Sequence, residues 1–128
     1  MGRLTLRATG RARPELVWQR YVQVDRWASW SPQIRAVRCV GRRLAPGLSG
    51  TVESVPGVRV AFLVEAVDHE QRTWTWRVRW GPVRLRLHHA VRPHPRGSAT
   101  SLTMTGPWAA LPAYAPPALL ALRRLVRP

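Results

Sequence analysis

The sequence predicts an α+β fold: one strand, two helices, a run of antiparallel strands and a closing helix. Three observations predict it. A helical pattern occupies residues 13–22, alternation of period two takes over beyond Pro32, and a charge-free stretch ends in a short leucine-rich helix. At 128 residues and 45% hydrophobic content, the chain is expected to form one domain, 1–128, with a real core.

Each element follows from its residues. Residues 3–8, RLTLRA, alternate and read as a strand. RPELVWQRYV opens a helix: Pro14 suits the first helical position and Glu15 complements the positive end of the dipole. Its apolar residues Val17, Trp18, Tyr21 and Val22 share a face. DRWASWSP then forms a second, short helix that places Trp27 and Trp30 on one side, and Pro32 stops it. Strands are expected near 34–40, 50–55, 58–67, 72–80, 83–92 and 98–106.

The clearest segment is RTWTWRVRWGPVRLRLHHAVRP. Gly81 and Pro82 break two alternating runs, which predicts a hairpin with a two-residue loop. That register sets Trp80 opposite Val83, Val78 opposite Leu85, Trp76 opposite Leu87 and Trp74 opposite His89. The other face pairs Arg79 with Arg84 and Arg77 with Arg86, where like charges repel; Glu65 on the preceding strand could offset part of this. At the C-terminus, Pro116 and Pro117 predict a helix confined to about 117–126, with Leu119, Leu122 and Val126 on one face and 107–116 irregular.

Composition narrows the class. A single cysteine, Cys39, excludes an intrachain disulfide and fits a reducing cytoplasm. Residues 1–14 carry arginines and no apolar core of a signal peptide. Residues 97–122 are uncharged, yet Pro107, Pro112, Pro116 and Pro117 argue against a transmembrane span. The net charge of +15 comes from 21 arginines and no lysine, which points to a coding-composition bias as much as to a phosphate partner. Tryptophan and arginine alternate along the hairpin and so face opposite ways, whereas sheets that bind nucleic acid put aromatics and cations together. Nucleic-acid binding is therefore disfavoured.

The order of these elements resembles the START-like, Bet v 1-like superfamily (SRPBCC), and within it the polyketide cyclase/dehydrase and lipid-transport group. The resemblance spans about residues 3–126 and rests on RPELVWQRYVQVDRWASWSPQI, FLVEAVDHEQRTWTW and HHAVRPHPRGSATSLTMTGP. Pro14, Val17, Trp18, Trp27, Trp30 and Pro32 match the group's pattern, while its usual Asp position falls on Gln23. The resemblance implies a helix-grip fold: a curved antiparallel sheet of about seven strands around a C-terminal helix, with two short helices after the first strand. It also implies a cavity for an apolar or polyketide-like molecule, with Trp27 and Trp30 where the short helices close the sheet. The shortened last helix would leave that pocket more open, or covered by a partner subunit in a homodimer.

Candidate site residues follow. Trp74, Trp76 and Leu87 are either core or pocket wall; with Phe62, Met104, Trp108 and Tyr114 they offer more aromatic surface than a small core needs, suited to a flat apolar ligand. His89 is the ionisable group on the apolar hairpin face. It is either a neutral histidine bonded to a backbone carbonyl or a proton donor and acceptor for enolisation, aldol cyclisation or dehydration. Tyr21 either donates to a developing oxyanion or packs with its hydroxyl at the surface. His88 and His89 point to opposite faces and cannot chelate together, so no metal or other cofactor is expected. These readings favour a cyclase/dehydratase-type enzyme, with a carrier or sensor of a hydrophobic ligand as the alternative. An acidic partner such as an acyl carrier protein would suit Arg77, Arg79, Arg84 and Arg86.

Overall fold

A computed structural model describes residues 1–55 and 57–128. Strand β1 (Gly2–Gly10) leads into helix α1 (Pro14–Val22), a 3₁₀ turn (Val24–Arg26) and the single-turn helix α2 (Trp27–Trp30). Strands β2 (Ile34–Cys39), β3 (Ser49–Ser54), β4 (Val58–Asp68), β5 (Thr73–Trp80), β6 (Val83–His94) and β7 (Gly97–Gly106) follow, and helix α3 (Ala110–Leu125) closes the chain. The seven strands form one antiparallel sheet in the order β1-β7-β6-β5-β4-β3-β2. The first strand thus pairs with the last, and the two helices after β1 carry the chain to the opposite edge.

The hairpin has the expected register: Trp80 pairs with Val83, Val78 with Leu85, Trp76 with Leu87 and Trp74 with His89. Gly81 opens the two-residue loop at φ +56°, a conformation that glycine adopts without strain. Alternation then sends Trp74, Trp76, Val78, Leu85 and Leu87 inward, all buried, while Arg77, Arg79, Arg84 and Arg86 lie exposed on the outer face. Between Val64 and Ala66 the β4–β5 register shifts by a bulge at Glu65. The bulge re-aims that carboxylate between two arginines: it accepts from the Arg86 Nε at 3.0 Å and stands 3.4 Å from the Arg77 Nε.

Helix α3 departs from expectation. It runs from Ala110 to Leu125 straight through Pro116 and Pro117, and so includes most of the segment expected to be irregular. The two prolines leave the carbonyls of Pro112 and Ala113 without their helical donors. Both of those residues are exposed, so water can serve the carbonyls. The opposite stripe, Leu111, Ala118, Ala121, Leu122 and Leu125, is buried at helical spacing and holds the element together. Leu119 is only half-buried. The helix is therefore longer than predicted, and it lies across β1 and β7. The Arg20 guanidinium caps its end by donating to the carbonyls of Leu125 (2.7 Å) and Arg127.

The end of α1 explains the Trp27 and Trp30 spacing. A helix leaves its last four carbonyls without intrahelical donors. Here the Gln19 carbonyl accepts from the Gln23 N–H and the Val22 carbonyl from the Leu44 N–H. The Arg20 carbonyl accepts from the Trp30 indole (3.2 Å) and the Tyr21 carbonyl from the Trp27 indole (2.8 Å). All four are satisfied, two of them by side chains one helical turn apart. Pro32 then drives Ser31 into an extended conformation, φ −106° and ψ 101°, and the chain leaves for β2.

This capping predicts an asymmetry between the two tryptophans. Trp27→Phe keeps an aromatic ring but strips the donor from the fully buried Tyr21 carbonyl, which should cost about 1–3 kcal/mol. Trp30→Phe, at a half-buried site that water can reach, should cost less. Urea denaturation of both variants measures the difference.

Candidate functional site

Between the inner face of the sheet, α2 and α3 lies a chamber of about 70 Å³. Tyr21 from α1, Trp27 and Trp30 from α2, and Trp74 and Trp76 from β5 form its aromatic wall. Leu87, His89 and Leu102 from the neighbouring strands, together with Tyr114 and Ala121 from α3, complete it. On the other side of Tyr114 lies a larger groove of about 570 Å³. Val58, Val60, Val78 and Leu85 form one side of the groove and the first half of α3, with Ala110 and Ala113, the other. The groove and the chamber share Gln33, Ser54, Val60, Val78 and Tyr114. Trp80, 58% exposed at the hairpin tip, and Val55 stand at the groove's rim.

Eight of the predicted site residues converge on the chamber: Tyr21, Trp27, Trp30, Trp74, Trp76, Leu87, His89 and Tyr114. Three do not. Phe62 packs behind Trp27 and Trp76, with ring centroids 6.3 and 5.2 Å away, and belongs to the core. Met104 is fully buried opposite Leu87 and lines neither the chamber nor the groove. Trp108 is 65% exposed, its ring lying over Gly2, where any side chain would strike it. Strand alternation says which residues point inward; it does not separate those that meet other side chains from those that meet a void. The sequence reading also missed Gln33, Ser54, Val60 and Ala121. Their only signal is position: Gln33 and Ser54 end strands or turns at the open end, and Ala121 is small where α3 faces the chamber.

The aromatic wall is tightly interlocked. His89 lies flat on Trp74 at 3.8 Å with an interplanar angle of 5°, and Trp27 stacks on Trp74 at 5.6 Å. Tyr21 meets Trp74 and His89 edge-on at 5.4 and 5.3 Å. Its ring is buried and its hydroxyl lies inside, not at the surface.

Burial decides the protonation states. The His89 Nδ1 lies 3.2 Å from the Trp74 carbonyl oxygen. A carbonyl can only accept, so Nδ1 carries the proton and Nε2 is the unprotonated nitrogen. Burial lowers the His89 pKa to about 3; the bond to the Trp74 carbonyl opposes this and the nearby His88 adds to it. Burial also raises the Tyr21 and Tyr114 phenols above their usual range. At neutral pH both Tyr21 and His89 are uncharged. Among the described residues no group of histidine, cysteine and carboxylate side chains could hold a metal ion.

Four polar atoms in this region have no hydrogen-bond partner among the described residues: the Tyr21 hydroxyl, the Trp74 and Trp76 indole nitrogens and the Gln33 Oε1. All four residues line the chamber. By contrast, the indoles of Trp18, Trp27 and Trp30 each donate to a protein acceptor: His69, Tyr21 and Arg20 respectively. The unpaired groups therefore gather on residues that line the chamber, and the atoms themselves are buried.

The depressed His89 pKa has a sign that can be measured. Between the unfolded value near 6.5 and the folded value of about 3, the unfolded chain binds more protons. The histidine's contribution to stability is thus complete above pH 6.5 and lost as pH falls through that window, at up to about 1.4 kcal/mol per pH unit. His89→Gln, which cannot titrate, should lose less stability than the parent protein between pH 7 and pH 4. Denaturation midpoints across that range test it; parallel curves would place the histidine in contact with solvent.

A family model described as polyketide cyclase / dehydrase and lipid transport matches residues 1–128. No curated protein matches the chain. Several solved structures share its architecture. The protein XoxI from Bacillus cereus superposes with a TM-score of 0.83 at 17% identity, over 98% of this chain and 94% of its own. Ginseng major latex-like protein 151 from Panax ginseng gives 0.83 at 11% identity, over 97% and 94%. The structure of Ara h 8.0201 gives 0.79 at 14% identity, again over 97% and 94%. At these identities the likeness establishes the Bet v 1-like helix-grip fold alone. With the family model matched from end to end, the chain belongs to the polyketide cyclase/dehydrase and lipid-transport family.

Proposed function

We propose that this protein binds a flat, apolar small molecule lying along the groove with one end in the chamber, and that it acts as a carrier or sensor of that molecule. The carrying observation is a 570 Å³ apolar groove that adjoins an aromatic chamber on the inner face of the sheet and shares five wall residues with it. A groove of that size is in the ordinary range for small-molecule sites. Family and fold are both consistent with hydrophobic-ligand binding. The long α3 supplies one wall of the groove.

Proton-transfer catalysis by His89 fits less well. A general acid or base works best with a pKa near the operating pH, and burial carries this one far below. A cyclase/dehydratase reading retains one supporting observation, the unpaired Tyr21 hydroxyl. As a neutral donor in a dry chamber it could stabilise an oxyanion without itself titrating. On the outer face, Glu65 pairs with Arg77 and Arg86, and among the described residues Arg79 and Arg84 make no ion pair. Those two arginines are the feature that supports docking of an acidic protein such as an acyl carrier protein. Among the described residues, no helix is long and apolar enough to cross a membrane.

The groove can be blocked without touching the core. Ala113 is exposed on α3 and faces the groove, so Ala113→Trp should fill it. The variant is expected to abolish binding of the neutral apolar dye Nile red while its Tm stays within about 3 °C of the parent, as for a surface change worth under 1 kcal/mol. Equal dye binding by both proteins would move the site elsewhere.

A further inference from the structure

Exposed apolar side chains are concentrated at one end of the molecule. Register brings three connections together there: the β3–β4 turn after Ser54, the loop between Trp80 and Val83, and the segment after Gly106, which pairs with Gly2 at the start of β1. Val55, Trp80 and Trp108 are exposed on those connections, with Met1 beside them. Among the described residues, the other exposed large apolar side chains are scattered over α1, the β2–β3 connection and α3. The groove reaches this same end, with Val55, Trp80 and Pro107 in its wall.

Positive charge surrounds the patch. Arg79 and Arg84 flank the hairpin loop, stand opposite each other, are exposed, and make no ion pair among the described residues. Met1 shares a hollow on the outer face with both. No carboxylate occurs in the three connections, and Glu53 near the end of β3 is engaged by Arg38 at 3.5 Å. We propose that this end docks on an anionic phospholipid bilayer, with Trp80 and Trp108 in the interfacial layer and Arg79 and Arg84 against the headgroups. The docking surface stands on these exposed residues; that an apolar ligand enters or leaves the groove there rests on the binding reading above.

A bilayer is the partner that takes every exposed group at once. Tryptophan has an apolar body and one N–H donor, which suits the boundary between hydrocarbon and water. Arginines held near an anionic surface each strengthen attachment by about fivefold. Neither contribution anchors a protein firmly alone; together they do. Trp80 and the two arginines face opposite sides of the sheet, yet a plane that meets the sheet end-on touches both sides. A single strand of nucleic acid would need rings and cations on one face. An acidic protein held on the outer face would engage Arg79 and Arg84 but leave Trp80, Trp108 and Val55 in water. A second copy would set the arginines of one molecule against those of the other, at a net charge of +15 each.

Cosedimentation with vesicles of phosphatidylcholine, alone or mixed equally with phosphatidylglycerol, tests this. The parent should partition onto the anionic vesicles at least about tenfold more strongly than onto the neutral ones. Arg79→Gln with Arg84→Gln should remove most of that preference. Arg123→Gln with Arg124→Gln takes the same charge from the other end of α3 and should change binding by less than about threefold, because screening limits distant charges. Trp80→Ser with Trp108→Ser should weaken binding to both kinds of vesicle by about tenfold. If Trp108→Ser, which uncovers Gly2, does not fold, Trp80→Ser alone serves. Equal losses from the two arginine pairs would overturn the proposal in favour of general charge attraction. Binding that survives loss of the tryptophans would overturn it as well, as would tighter binding to a single-stranded oligonucleotide or to an acidic protein through the same residues. Nile red binding by the parent without vesicles separates the two readings. Dye binding with no vesicle binding overturns the docking alone, and vesicle binding with no dye binding overturns the carrier reading alone.

Discussion

A two-residue turn at Gly81 and Pro82 decides which side of the sheet each residue from Thr73 to Ala90 faces. Side chains alternate along a strand, so lengthening that loop by one residue would carry Trp74 and Trp76 to solvent and bring Arg77 and Arg79 into the interior. Burying even one unpaired guanidinium there would cost more than any single contact in the chamber returns. The penalty for slipping is thus set by the arginines as much as by the tryptophans. The same alternation continues into β7, where Leu102 pairs with His89 and Met104 with Leu87, so the hairpin's register fixes the inner face across three strands.

That inner face then solves a second problem, the end of α1. A helix that stops against a sheet must find donors for its last carbonyls in a place where water is scarce. Trp27 and Trp30 supply two of them from α2 while their rings wall the chamber. One pair of residues therefore ends a helix, anchors α2 and shapes the cavity. This is why, among the four tryptophans that line the chamber, the two paired indoles and the two unpaired ones divide by element: those on α2 answer a backbone need, and those on β5, Trp74 and Trp76, have none to answer.

Much of this was legible in the sequence because the fold's main signals are local. The period-two runs, the Gly-Pro break and the proline at the start of α1 lie within a few residues of what they determine. The hairpin register, the outward arginines and the burial of Trp74, Trp76 and His89 followed from them. The length of α3 did not, because propensity and tertiary packing pulled in opposite directions. Pro116 and Pro117 are strong local evidence against a helix, and the stripe from Leu111 to Leu125 outweighs them only once there is a sheet to cover. The bulge at Glu65 also left no local mark, yet it is what gives two of the four facing arginines a counter-charge. In the candidate site, pointing inward was readable and lining a void was not. Met104 and Phe62 are as apolar and as inward as Trp76, and only the seating of α2 and α3 puts one on the chamber and not the others.

The same physics bears on how the site could change without loss of the fold. The residues that set the register are the turn and the alternation itself, and those that close α1 are Trp27 and Trp30. The unpaired donors belong to neither group. Replacing Tyr21 by phenylalanine removes a hydroxyl that no protein group needs, and the edge-on contacts of the ring with Trp74 and His89 do not depend on it. His89 differs, because its Nδ1 serves the Trp74 carbonyl and its ring covers the Trp74 face, so altering it disturbs the wall itself. The Tyr21 hydroxyl is therefore separable from stability, and the His89 imidazole is tied to it. A hydroxyl with no structural duty can be altered by one substitution, whereas proton chemistry at His89 would require loosening the burial that holds the imidazole neutral.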